Sequence, residues 1–220
     1  MFAEAVACFA LSCEAPAKAS QLCARREGVH YFAAENVLCL SGKLAPDHVI
    51  RDKVLATNAR ANVTLVLRSE GGLLTDAIDI AEHLERVGYN VVVDGLCASA
   101  CAQFVFMAAR HRVIYRDGIV AMHGGPFTDE QISSLDMTEE GKANIRRERD
   151  RFLAFYRDRK IGIGMTNDFP KHLLERLARR EIVFWIPKER DYRRFNVRGV
   201  TYCSSRYRDP DNVLPSEPAP

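Results

Sequence analysis

The chain has 220 residues, 47% of them hydrophobic, enough to bury one large core. Its 31 basic and 29 acidic residues leave a formal net charge of +2. No concentrated basic face emerges, so a nucleic-acid partner is not expected, and no stretch is long and apolar enough to put an integral membrane segment in the mature chain.

Residues 1–28 read as a leader-like or poorly ordered N-terminal segment. Ala5 to Leu11 is a short apolar run followed by the small residues Ala15, Ala17 and Ala19. That is the pattern of a secretory signal peptide ending near Ala15 to Ala19. Glu4 stands where a signal carries positive charge, and no basic residue precedes the run; a wrongly assigned start codon would account for both. The expected location is periplasmic or secreted, with the cytoplasm as the alternative.

Residues 29–208 read as one α/β domain, and 209–220 as a disordered, Pro-rich tail. Asn36 to Leu40 is a short strand closed by Ser41-Gly42. Pro46 opens a helix reaching about Thr57. Val63 to Leu67 is a strand; Leu74, Ala77, Ile78, Ala81, Leu84 and Val87 then recur at helical spacing up to Gly88. Val91 to Val93 is a strand, Ala100 to Ala109 an almost wholly apolar and therefore buried helix, and Arg112 to Tyr115 a strand. After the Asp117-Gly118 turn comes a further strand, Ile119 to Met122. Strands alternating with helices imply a layered α/β fold. Beyond it the sequence predicts a helix start near Thr128-Asp129, a long charged helix at about 139–160, and a helix at about 168–180 leading into Phe184-Trp185-Ile186-Pro187.

Seven cysteines favour an oxidising compartment. Cys23 with Cys39 and Cys97 with Cys101 are possible pairs, with reduced buried thiols as the alternative. Cys8 would leave with a signal peptide. The C-x3-C spacing at 97 and 101, with no second pair at finger spacing, argues against zinc.

The chemistry gathers at three strand ends, where α/β folds place their sites. Ser69-Glu70-Gly71-Gly72 follows the Val63–Leu67 strand, Cys97-Ala98-Ser99-Ala100-Cys101 another, and His123 a third. A hydroxyl, an imidazole and backbone N–H groups freed by glycine are the parts of an acyl-transfer site. Taken singly, Ser99 reads as a helix N-cap and His123 as a satisfied, partly buried histidine. Taken jointly and in this order, they favour catalysis.

Strand-Ser-x-Gly-Gly-helix, then strand-Gly-x-Cys-x-Ser-x-Cys-helix, then strand-His resembles the proteolytic subunit of Clp-type proteases in the crotonase superfamily, most of all the secreted or periplasmic Clp-like serine proteases. The resemblance covers residues 34–200 and is strongest over 63–125. It implies a spiral of ββα units with a helical extension after the histidine. It also implies Ser99 as nucleophile, His123 as general base, and an oxyanion hole of Gly71 or Gly72 with Ala100. Glu70 departs from the proline that many relatives carry. The third triad member is expected at Glu181, six residues before Pro187, with Asp168 or a bare Ser-His dyad as alternatives.

The expected function is therefore serine-type peptide hydrolysis, needing no metal or organic cofactor. Its partners are a peptide or protein substrate and further copies of the chain. The rivals are a crotonase-type acyl-CoA hydratase or isomerase, and an inactive Clp-like binding or assembly subunit.

Overall fold

In a computed structural model of the chain, residues 2–167 and 184–203 are described. The first elements are α1 (Phe2–Cys23), β1 (Gly28–Phe32), β2 (Val37–Ser41), α2 (Val49–Leu55), β3 (Val63–Ser69), α3 (Leu74–Val87) and β4 (Tyr89–Ala98). A π-helix at Cys101–Phe106 leads to β5 (His111–Ile114) and β6 (Ile119–Ala121). Then come α4 (Asp129–Ser133), α5 (Glu139–Asp158), α6 (Gly164–Asn167), α7 (Glu189–Arg194) and β7 (Val200–Tyr202).

The strands form one seven-stranded sheet in the order β1-β2-β3-β4-β5-β7, with β6 also on β4. Among the strands of the described residues, β1–β2 is the one antiparallel pairing. The expected α/β class is therefore observed: a mostly parallel sheet flanked by helices.

Strand residues alternate between the two faces, and the sequence honours that period. Leu38, Leu40, Leu65, Leu67, Val91 and Val93 belong to the large core beneath α2, α3, the π-helix and α5. Cys39, Val66, Val92 and Tyr115 form a second, smaller cluster with Ala19 and Cys23 of α1. A sheet buried on both faces suits its parallel strands.

The N-terminal segment is helical from Phe2 to Cys23. Its helix packs on the second face through Ala19 and Cys23, and Cys13 is bonded to Cys203 just after β7. Cleavage between Ala15 and Ala19 would remove Cys13 and with it this bond. Arg68 of β3 adds to the attachment, donating to the Cys23 carbonyl at 2.7 Å and pairing with Asp94 of β4.

β4 decides where the site lies. Its first half pairs with β5, from Asn90↔His111 to Val93↔Ile114. Its second half pairs with β6, from Leu96↔Ile119 to Ala98↔Ala121. The strand changes partner around Asp94-Gly95, which brings the ends of β4 and β6 side by side. The residues that follow those two ends are Ser99 and, one position after Met122, His123.

Among the described residues no helix is long and apolar enough to cross a membrane.

Candidate active site

Ser99 ends β4 and opens the helical turn that leads into the π-helix. Its φ is +54°, a left-handed conformation that costs a non-glycine residue about 1–2 kcal/mol. Two backbone bonds hold it there: Ser99 N–H donates to the Ala121 carbonyl at 2.9 Å, and the Ser99 carbonyl accepts from Gln103 N–H at 2.9 Å. The Cys97–Cys101 disulfide, with Cα atoms 5.4 Å apart, braces the same turn from beneath. Both cysteines are fully buried while Ser99 is only partly so. The turn therefore lifts the hydroxyl out of the core.

His123 meets it there. Ser99 Oγ lies 2.6 Å from His123 Nε2, so the hydroxyl donates to a neutral imidazole. Burial holds the His123 pKa below the ordinary imidazole value. The ring is therefore neutral, and able to accept a proton, at physiological pH.

The segment after residue 183 supports the histidine from the other side. Met122 and Trp185 exchange two backbone hydrogen bonds, of 2.9 and 2.8 Å. Phe184 packs edge-on against the imidazole, with ring centroids 4.8 Å apart. This places the Phe184-Trp185-Ile186-Pro187 element at the histidine. Glu181 and Asp168, the two residues expected as the orienting acid, lie outside the described residues. Among the described residues no carboxylate hydrogen-bonds His123.

The Gly-Gly loop divides its work. Gly71 is buried, and its N–H donates to Ser69 Oγ at 3.1 Å. A Cβ there would fall 2.4 Å from the Ala98 carbonyl oxygen and 2.8 Å from Ala100 N. Only glycine allows the loop to lie this close to the Ser99 turn. Gly72 is exposed. The Gly71 carbonyl and Leu73 N–H bond Leu44, at 2.7 and 2.9 Å. In a parallel bridge of this kind the N–H of the central residue, Gly72, points to the opposite side. Of the two glycines, Gly72 thus has the available donor. Ala100 N–H, at the first turn of the helix, is the other.

These residues line one cavity of about 660 Å³. Gly72, Ser99, Ala100 and His123 lie at its reactive end, and Leu74, Phe127, Ile145 and Phe152 supply apolar walls. Glu148 is the only carboxylate among its described lining residues. The geometry brings together a hydroxyl, an imidazole and two backbone donors at one mouth. That set can attack a carbonyl carbon and hold the resulting oxyanion.

Gln103 was not singled out from sequence. Its amide donates to the carbonyls of His123 and Gly124, at 2.8 and 2.7 Å. The Tyr156 hydroxyl donates in turn to the Gln103 carbonyl at 3.0 Å. Gln103 therefore fixes the backbone of His123 from the helix that follows Ser99. A polar residue four positions after the serine, inside an otherwise apolar helix, was the available signal.

Among the described residues no three His, Cys, Asp or Glu side chains converge to hold a metal ion. No protein-family model matches the chain, and no curated protein matches it significantly.

Proposed function

We propose that this protein is a serine hydrolase acting on peptide bonds, built as a variant of the Clp/crotonase fold. The observation that carries the reading is the 2.6 Å contact of Ser99 Oγ with His123 Nε2, made where β4 and β6 end together. In the first half-reaction Ser99 Oγ attacks the scissile carbonyl while His123 Nε2 takes its proton. The oxyanion forms within reach of Gly72 N–H and Ala100 N–H. His123 then protonates the leaving amine, and the acyl group stays on Ser99. In the second half-reaction His123 activates a water that releases the acid and restores the serine.

Glu181 is proposed to orient the imidazole. Phe184, three residues further along the chain, already packs on the ring. The three disulfides fit an oxidising compartment, so a periplasmic or secreted location is proposed. Self-association through α5 is proposed from Leu153, which is 41% exposed on that helix.

The acyl-CoA rival relies on carboxylates beside the reacting carbon, and among the described residues lining the cavity Glu148, at its exposed wall, is the one carboxylate. Assays of a peptide-ester panel and an unsaturated acyl-CoA separate the two. Hydrolysis of an ester, lost in Ser99→Ala, is expected. Acyl-CoA hydration that survives Ser99→Ala would overturn the assignment.

A further inference from the structure

A concentration of positive charge lies at the other end of the strands from Ser99. A cavity of about 580 Å³ there is lined by Arg110, His111, Arg112, Arg159, Lys160 and Arg198, with no acidic residue among its described lining residues. The six come from three separated stretches of chain. His111 opens β5, Arg198 just precedes β7, and Arg159 and Lys160 follow α5. β5 runs parallel to β4 and starts beside its beginning. Ser99 follows the end of β4, roughly 30 Å away at 3.3 Å per residue.

The charges are poorly compensated. Arg159 is neutralised by a two-pronged pair with Glu85. Arg110 donates to the neutral amide oxygen of Asn62 at 2.9 Å. Arg112 is only 7% exposed. It spends its guanidinium on the carbonyls of Phe106, Met107 and Arg198 and meets no carboxylate directly. Lys160 and Arg198 have no acidic partner among the described residues. Four permanent positive charges thus share one concave site, one of them buried. Cations gathered in this way repel one another and carry a desolvation cost. An anion entering the cavity offsets both.

We infer that this basic cavity is a binding site for a multiply charged phosphate-type oxyanion, separate from the Ser99 site. A singly charged carboxylate would leave most of the positive charge uncompensated. A pyrophosphate or phosphate ester supplies several charged oxygens that guanidinium forks and an ammonium group can meet together. The site does not depend on the hydrolase reading, since none of its residues touches the Ser99 cavity.

The test is isothermal titration calorimetry of the full chain with inorganic pyrophosphate at low ionic strength. Wild type is expected to bind at one site. The double variant Lys160→Gln/Arg198→Gln is expected to bind at least tenfold more weakly, with an unchanged thermal midpoint and unchanged Ser99-dependent hydrolysis. Arg198→Gln alone should show an intermediate loss, which guards against misfolding of the double variant. Absence of binding to wild type, or equal binding by wild type and both variants, would overturn the proposal.

Discussion

The corner at Ser99 and the face covered by α1 belong to the same sheet, yet they are held in opposite ways. At the corner, Gly71, Gly72 and Ser99 all have positive φ within one small volume, and of the three Ser99, the non-glycine, is strained by it. The constraints there are short-range, a disulfide across four residues and a bridging glutamine amide. On the α1 face, packing is ordinary, between small helix residues and alternating strand residues. The covalent constraints there reach further along the chain, Cys23–Cys39 across 16 positions and Cys13–Cys203 across 190. Strain is tolerated where a hydroxyl must be presented, and the distant covering contributes stability.

Substitutions sharpen this contrast, beginning with the largest effect. Ser99→Ala and His123→Ala should each lower kcat/KM by about 10⁴-fold or more, with thermal midpoints near that of wild type. Retention of hydrolysis by either variant would separate the corner from the chemistry. The reverse pattern is expected for Cys13→Ala. Removing a link across 190 residues costs about 5 kcal/mol on a chain-entropy account, against ~2 kcal/mol for the four-residue Cys97–Cys101 loop. Denaturant unfolding under non-reducing conditions checks the order. Cys97→Ala/Cys101→Ala should in turn lose more activity than Cys13→Ala, because it loosens the Ser99 turn itself.

Smaller effects probe the supports of the base. Gln103→Leu should lower kcat about tenfold with little change in KM, since Gln103 fixes the His123 backbone and not the substrate. A rise in KM alone would instead make it a substrate contact. Burial lowers the His123 pKa, and the sign of the pH effect follows. The base is lost only when pH falls through that lowered value. The acid limb of kcat/KM against pH should therefore have its midpoint below about 6.5, the ordinary histidine value. An acid limb centred above that value would contradict a desolvated, neutral base.

Most of the corner was legible in the sequence because its chemistry is carried by local motifs at strand ends. Gly71-Gly72, Ser99 with Ala100, and His123 were each readable from an apolar run that stops at a polar or glycine residue, and the structure brings Gly72, Ser99, Ala100 and His123 to one cavity, with Gly71 buried against the Ser99 turn. Both short cysteine pairs, 23–39 and 97–101, were readable as options and are formed. The extent of β4 was not legible. Only Val91 to Val93 looked like strand, because Asp94-Gly95 interrupts the apolar run. The strand continues to Ala98 by exchanging β5 for β6, an event set by tertiary pairing and not by local propensity.

The α1 face was harder to read. Its helix meets the sheet through alanine and cysteine, which make no apolar stripe, so its packing on the sheet was not legible. The Cys13–Cys203 bond joins residues from opposite ends of the chain, and no spacing rule reaches that far. β1 was missed for a similar reason. Gly28–Phe32 has no buried position, and its place comes from antiparallel pairing with β2.

The central claim is that Ser99 is a nucleophile activated by His123. Fluorophosphonate labelling followed by peptide mapping tests it most directly. The adduct is expected on Ser99 of the wild-type chain, to be absent from Ser99→Ala and to form far more slowly in His123→Ala. Equal labelling of all three proteins, or an adduct mapped to another residue, would contradict it.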